Sequence, residues 1–128
     1  MNDSLEAILS ENLALFRQRK LNCAETVLCT LSAFFDEPGD FAPRIATAFG
    51  GGVCGRQGLC GALTGALMAV GLRLGRREPG DDKAPANDAG KALLAWAEEN
   101  LPSLECRALT GADFSDPASQ ARFRAPGG

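Results

Sequence analysis

The feature that most restricts the fold of this chain is an uncharged, largely apolar run from residue 59 to residue 72. A helix needs about 20 such residues to cross a bilayer, so this run is too short for a membrane span. Its length and composition are typical of a helix buried inside a protein. We therefore expect a domain in which other helices surround this one, and we expect no membrane as a partner.

Apolar residues also recur at helical spacing elsewhere, and no segment alternates as a half-buried strand does. The pattern predicts an all-α fold, a small single-domain bundle of about five helices. Asp3 or Ser4 caps the first helix, and Leu93, Trp96 and Ala97 of the fifth are expected to face inward. The predicted helices span residues 5–16, 22–37, 40–49, 59–74 and 88–100, followed by a brief helix capped by Ser115 or Asp116.

The connecting segments are marked by glycine, proline and polar residues. Residues 50–58 are rich in glycine and predict a loop, and residues 76–88 predict an exposed loop because they are polar and rich in proline and aspartate. Cys106 is expected to lie in a short turn that ends at Gly111. The domain is predicted to cover residues 1–123, with residues 124–128 as a flexible tail.

The composition excludes several functions. Histidine and tyrosine are absent, which rules out Cys-His and Ser-His-Asp mechanisms and removes the commonest nitrogen ligand of metals. A net charge of -3 and scattered basic residues argue against nucleic acid as a partner. The run of three glycines at 50–52 lacks the lysine and preceding strand of a phosphate-binding loop.

The five cysteines are the chemically distinctive residues of this chain. The first residues include Asp3 and Glu6 where a signal peptide has a basic start, so we expect a cytoplasmic location. Disulfides there are usually transient, and an odd number of cysteines argues against a purely structural set. Thiol chemistry or thiolate ligation is therefore the expected use of these residues.

Two cysteines lie at predicted helix starts. Cys23 follows the predicted cap Asn22, and Cys60 opens the helix that contains the uncharged run. Free N–H groups and the helix dipole favour an anion there, so a thiol in this position should lose its proton more easily. The alternative is that both cysteines are small buried apolar residues.

The other cysteines carry weaker signals. Cys54 is six residues before Cys60 in the glycine-rich loop, a spacing unlike a standard zinc knuckle, and it is either a site residue or a stray thiol. Cys29 lies about 120° around its helix from Cys23, so we expect it to be a packing residue. Gly61 and Gly65 share one face of a helix and predict close approach of a second helix near Cys60.

Four short motifs resemble those of the C_GCAxxG_C_C family, whose members are regarded as redox-active. They are NCAE at 22–25, FGGG at 49–52, CGALTGALM at 60–68 and ECRALTG at 105–111. The resemblance covers about residues 5–114. It implies a helical domain with four characteristic cysteines, of which Cys23, Cys60 and Cys106 match the first three. No cysteine follows Cys106, and Cys54 is the candidate to replace the fourth.

The resemblance and the helix starts together favour a thiol redox protein or small electron carrier. Cys23, Cys60 and Cys106 are then the catalytic residues, Cys60 the expected attacking thiolate, and the partner a redox protein or a small-molecule thiol. As an enzyme it would be a thiol-dependent oxidoreductase. The alternative is a non-catalytic module whose ligands are Cys23, Cys54, Cys60 and Cys106.

The cofactor stays open at this point. It is an iron–sulfur cluster, zinc or none, since the same thiolates suit either metal site and also suit dithiol chemistry. A third interpretation is a helical interaction domain whose cysteines are incidental. A shared site requires the tertiary fold to bring Cys23, Cys60 and Cys106 together, because they are far apart in sequence.

Overall fold

The computed structural model describes residues 4–37 and 39–124, and within them it has seven α-helices and one 3-10 helix. The all-α class is confirmed, although the helices are more numerous than expected. The helices are α1 (Leu5–Arg17), α2 (Cys23–Phe34), α3 (Phe41–Ala46), the 3-10 helix Thr47–Phe49, α4 (Gly61–Leu74), α5 (Ala84–Asn100), α6 (Cys106–Thr110) and α7 (Pro117–Arg124).

Side chains cap three of the helices as the sequence indicated. The Ser4 hydroxyl accepts a hydrogen bond from the backbone N–H of Ala7 at the start of α1. Asn22 and Glu25 form the reciprocal capping box of α2, with N···O distances of 2.9 and 2.8 Å. Asp116 accepts from the backbone N–H of Ala118, so it caps α7. These bonds satisfy N–H groups that have no partner inside the helix.

The core lies between α2 and α4, the two helices that share the most contact, and α2 also packs on α1 and α3. Its buried residues are mostly small, so the two backbones approach closely. A β-carbon on Gly65 would lie 2.6 Å from the carbonyl oxygen of Ala24. The predicted close packing of the glycine face is therefore confirmed, and its neighbour is α2. The buried core residues are Ala24, Leu28, Ala42, Ala46 and Ala69.

Two expectations about α5 were wrong. The helix begins at Ala84 instead of residue 88, because proline is accepted in the first turn and Pro85 lies there. Trp96 is 55% exposed and does not face inward. The helix packs on α4 through a narrow stripe that contains Gly90 and Ala97, which are both buried. Trp96 lies about 100° around the helix from Ala97, outside that stripe.

The segment from Cys106 to Thr110 was expected to be a turn and is the short helix α6, which ends at Gly111 with a left-handed φ of 67°. A single antiparallel β-bridge between Leu59 and Glu105 joins the segment before α6 to the segment before α4. This bridge ties two segments that are distant in sequence, and it lies next to two of the cysteines.

Several predictions fall on residues outside the described ranges. They concern the alternative cap Asp3 and residues 125–128 of the predicted tail. Arg124, the first residue of that predicted tail, is the last residue of α7. The domain limits of 1–123 stay a prediction. Within residues 4–37 and 39–124, the longest and most apolar helices are still too short or too polar to cross a membrane.

Candidate thiol site

Cys23 is the first residue of α2, and the capping box on Asn22 fixes that helix start. Asn22 also donates from its side-chain amide to the carbonyl oxygen of Thr47, which holds the helix start against the 3-10 helix. A β-carbon on Gly61 would lie 3.1 Å from the β-carbon of Cys23. The start of α4 therefore lies against Cys23 because residue 61 has no side chain.

Cys60 is the N-cap of α4, and the β-bridge places it near Cys106. The Cys60 N–H donates to the carbonyl oxygen of Leu104 at 2.8 Å, and the Cys106 N–H donates to that of Gly58 at 2.7 Å. Successive residues of paired strands face opposite sides, so Cys60 and Cys106 share one face as diagonal neighbours. Such residues are typically about 7–8 Å apart.

Gly52 allows the glycine-rich loop to pass directly beneath Cys106. Its φ is +70°, and a β-carbon there would lie 2.7 Å from the β-carbon of Cys106 and 2.6 Å from the backbone nitrogen of Gly58. Only glycine has both the conformational freedom and the small size that this position needs. The glycine-rich loop therefore packs directly against Cys106.

The three cysteines interact electrostatically. Burial raises the pKa of the Cys23 thiol, and negative charge on Cys60 and then on Cys106 raises it further. The backbone N–H of Cys23 and the Arg19 guanidinium lower it by less. The expectation that a helix start would make Cys23 ionise more easily was therefore wrong, since burial outweighs the favourable N–H groups.

Cys106 is 6% exposed, and its surroundings act on the thiol in opposite directions. Burial raises the pKa of Cys106, as does negative charge on Cys60, while hydrogen bonds from the Gln57 and Thr110 side chains lower it. The hydroxyl of Thr110 already donates to the Cys106 carbonyl oxygen at 2.8 Å. Gln57 and Thr110 are therefore the two polar side chains that favour the Cys106 thiolate against burial.

Gln57 is buried and also anchors the chain beyond α6. Its side-chain nitrogen donates to the carbonyl oxygen of Ala112 at 2.7 Å, and its side-chain oxygen accepts from the backbone N–H of Phe114 at 2.8 Å. One amide group therefore joins the glycine-rich loop, the third cysteine and the segment that leads to α7.

An open cleft of about 810 Å³ gives access to the cysteines. Cys23, Cys54 and Cys106 lie among the residues that line it, whereas Cys60 does not. Arg19, in the connection between α1 and α2, lines the same cleft. A molecule in the cleft would therefore meet Cys23, Cys54 or Cys106, whereas Cys60 lies outside the lining.

Cys23, Cys60 and Cys106 thus lie near one another, and the other two cysteines lie in different surroundings. Cys54 is exposed and lines the cleft, but it has no part in the electrostatic interactions that shift the thiols of Cys23 and Cys106. Cys29 packs against the core, as expected. Burial and then the Glu25 carboxylate raise the pKa of Cys29, with no contribution from another cysteine.

The sequence matches one protein family over residues 21–125, described as "Putative redox-active protein (C_GCAxxG_C_C)". The chain belongs to this family. The matched range includes Cys23, Cys60 and Cys106, the three residues that the fold brings together. Neither a curated protein nor a solved structure matches the chain.

A metal site built from these cysteines would need several sulfurs close together, since zinc and iron–sulfur clusters usually take four protein ligands. Within the described residues, no three His, Cys, Asp or Glu side chains are grouped so that they could hold a metal ion. The predicted ligand set of Cys23, Cys54, Cys60 and Cys106 stays a prediction.

Sequence reasoning missed two residues of this site. Gln57 lies among glycines and has a left-handed φ of 62°, and nothing in its local sequence indicates that its amide reaches residues 112 and 114. Arg19 could have been noticed, because Arg19 and Lys20 form a basic pair just before the cap of a helix that begins with cysteine.

The raised thiol pKa values predict a pH-dependent stability. A thiol whose pKa is higher in the folded state binds its proton more tightly there, so it stabilises the fold fully below the unfolded pKa of about 8.5. This contribution is lost as pH rises through the folded pKa. We expect the urea midpoint of the reduced protein to fall as pH rises above about 8.5, and to fall less in Cys23→Ala. Equal pH dependence of the two proteins would contradict the assignment.

Proposed function

We propose that this protein exchanges thiols and disulfides, with Cys23 as the attacking sulfur and Cys60 as the resolving sulfur, which reverses the order expected from the sequence. One observation carries the proposal. Cys23 lines the cleft and Cys60 does not, yet the two are close enough that negative charge on Cys60 raises the pKa of Cys23. Redox activity is what the family description names. The pairing and the order of attack are inferred from the geometry.

The first step takes place in the cleft. The Cys23 thiolate attacks one sulfur of a bound disulfide, which breaks the disulfide bond and forms a mixed disulfide with release of one thiolate. Burial raises the pKa of Cys23, and the Arg19 guanidinium offsets part of that rise. Cys106 is nearly fully buried, which makes it the poorer first nucleophile of the two.

The second step closes the internal disulfide. The Cys60 thiolate attacks Sγ of Cys23, which forms the Cys23–Cys60 disulfide and releases the second thiolate. Two protein thiols are oxidised, one external disulfide is reduced to two thiols, and the two protons come from Cys23 and Cys60.

The test maps the disulfide after mild oxidation of reduced protein with hydroxyethyl disulfide. Cys23 and Cys29 lie on one tryptic peptide, since no lysine or arginine occurs between Lys20 and Arg44. The mapping therefore uses a Cys29→Ser background, which should oxidise at the wild-type rate because Cys29 packs in the core. We expect the thiol titre to fall by two and a peptide pair linked through Cys23 and Cys60.

Removing the resolving sulfur should trap the intermediate. In Cys60→Ser we expect a stable mixed disulfide between Cys23 and the mercaptoethanol moiety, visible as an added mass on the Cys23 peptide. Formation of an internal disulfide in Cys60→Ser at the wild-type rate would exclude Cys60 from the pair. An unchanged thiol titre in the wild-type protein would exclude thiol–disulfide exchange altogether.

A further inference from the structure

The cleft beside Cys23 has the size of a small-molecule site and an opening that suits one. Its volume of about 810 Å³ lies within the range of roughly 300–1,000 Å³ typical of ligand pockets. Cys106, on its wall, is only 6% exposed. A sulfur on the surface of a folded protein would have to enter the cleft to reach these thiols, whereas a small disulfide can diffuse in.

The cleft wall carries basic side chains, although the net charge of the protein is -3. Arg19 and Lys20 line it, and within residues 4–37 and 39–124 neither forms an ion pair with a carboxylate. The acidic side chain in the lining is Glu25, and its two oxygens already accept from the Asn22 N–H and the Thr47 hydroxyl. The lining therefore carries two positive charges and one negative charge, a net charge of +1, and the Glu25 carboxylate forms no ion pair with either basic side chain.

Arg19 keeps hydrogen-bonding capacity for a ligand. One of its terminal nitrogens donates to the Phe123 carbonyl oxygen at 3.3 Å, and its guanidinium lies over the Phe123 ring with 5.6 Å to the centroid. A guanidinium has five N–H donors, so the others remain for a planar acceptor such as a carboxylate. The contact with Phe123 holds the group in place beside the cleft.

Two aromatic rings beside Arg19 offer apolar contact. Phe114 and Phe123 both line the cleft, and their ring centroids are 5.3 Å apart. An aliphatic or peptide-like backbone can lie against these rings while its charged ends reach the basic pair. The wall composition therefore matches a molecule that is anionic at its ends and less polar in between.

We propose that the substrate of the cleft is a low-molecular-weight disulfide that carries carboxylate groups, bound through Arg19 and Lys20 beside Cys23. This inference rests on the proposed thiol–disulfide exchange and adds the class of substrate. The exchange has the same balance as above: one carboxylate-bearing disulfide is reduced to two thiols while the protein dithiol becomes a disulfide. The basic pair binds and positions the substrate, and the sulfurs carry out the chemistry.

The experiment compares three small disulfides that differ in charge. Reduced protein is oxidised by dithiodiglycolate (anionic), hydroxyethyl disulfide (neutral) or cystamine (cationic), and each rate is divided by that of the same disulfide with free mercaptoethanol. We expect a normalised preference of roughly ten-fold for the anionic over the neutral disulfide, with cystamine slowest. The ratio cancels any change in the reactivity of Cys23 itself.

Two pairs of substitutions test the role of the basic wall. Arg19→Gln with Lys20→Gln should reduce the anionic-to-neutral ratio to near one. Arg77→Gln with Lys91→Gln removes the same charge at two exposed positions outside the lining and should leave the ratio unchanged. Lys20→Gln alone, which keeps the Arg19 contact with Phe123, should reduce the ratio part of the way.

The outcomes separate this inference from the proposed function. Three equal normalised rates in the wild-type protein, or an unchanged ratio after the change of Arg19 and Lys20, would overturn the substrate assignment while leaving thiol–disulfide exchange intact. A thiol titre that stays constant with all three disulfides would instead overturn the exchange itself. Raising the salt concentration should reduce the preference, because exposed charges are screened.

Discussion

Replacing Gly65 by alanine is expected to lower the free energy of unfolding by about 1–3 kcal/mol, the usual range for overpacking. The added β-carbon would lie 2.6 Å from the Ala24 carbonyl oxygen and 3.2 Å from the Ala24 α-carbon. Both neighbours are backbone atoms, so no change of rotamer relieves the contact, and α2 and α4 must move apart. Thermal unfolding should show a fall of roughly 3–5 °C per kcal/mol.

Gly71 provides the matched control for that substitution. It lies on the same helix and is exposed, and a β-carbon added to it would meet open space, with no neighbouring atom within 4 Å. Gly71→Ala should therefore stabilise the protein by up to about 1 kcal/mol, the difference in helix propensity. An unchanged melting temperature in Gly65→Ala would mean that α2 and α4 do not pack as closely as described.

The displacement should also reach the thiols, since Cys23 begins α2 and Cys60 caps α4. We expect Gly65→Ala to form the internal disulfide more slowly than Gly71→Ala under the same oxidation. Close packing at Gly65 would then control the rate of disulfide formation, because it sets the distance between the starts of α2 and α4. Equal oxidation rates in the two variants would separate the packing of these helices from the site.

Replacing Gln57 by leucine is expected to cost about 2–4 kcal/mol and to change the titration of Cys106. The Ala112 carbonyl oxygen and the Phe114 N–H would each lose their side-chain partner, and an unsatisfied buried group costs about 1–3 kcal/mol. The Cys106 thiol would also lose a donor that lowers its pKa. Alkylation of Cys106 by iodoacetamide should then require a higher pH than in the wild-type protein.

The pH profile distinguishes the two roles of Gln57. Urea denaturation reports the lost anchoring, whereas the alkylation midpoint of Cys106, read by mass spectrometry under native conditions, reports the lost hydrogen bond to sulfur. Gln18→Leu is the control, because Gln18 is an exposed residue at the end of α1. If Gln57→Leu is destabilised but the alkylation midpoint of Cys106 does not shift, Gln57 anchors the chain and has no effect on the thiol.

Helix class and helix starts could be predicted from sequence because they depend on local chemistry. Periodic apolar residues marked α1, α2 and α4, and Asn22 with Glu25 specified a capping box that the structure contains. The inward face of α5 could not be predicted in the same way. Trp96 is exposed because the partner surface on α4 accepts a narrow stripe with Gly90 and Ala97, which is a property of two helices together.

For the cysteines, too, local features could be predicted from sequence and features of the whole fold could not. The sequence indicated Cys23 and Cys60 by their places at predicted helix starts, and Cys106 by family resemblance. It also indicated Cys29 as a packing residue. It gave the wrong direction for the pKa of Cys23, because a helix start is a local feature whereas burial depends on the whole fold. The role of Gln57 was invisible for a related reason, since its partners lie about 55 residues away.

By itself the sequence determined an all-α chain, the start of α2 and the residue types available for chemistry, since each follows from spacing and composition. Only the tertiary structure decided that α4 lies against Cys23 through Gly61, that the Leu59–Glu105 bridge places Cys106 beside Cys60, and that a basic cleft opens onto these thiols. These contacts join segments that are tens of residues apart. They form because burying the small-residue faces of α2 and α4 fixes where each helix begins in space.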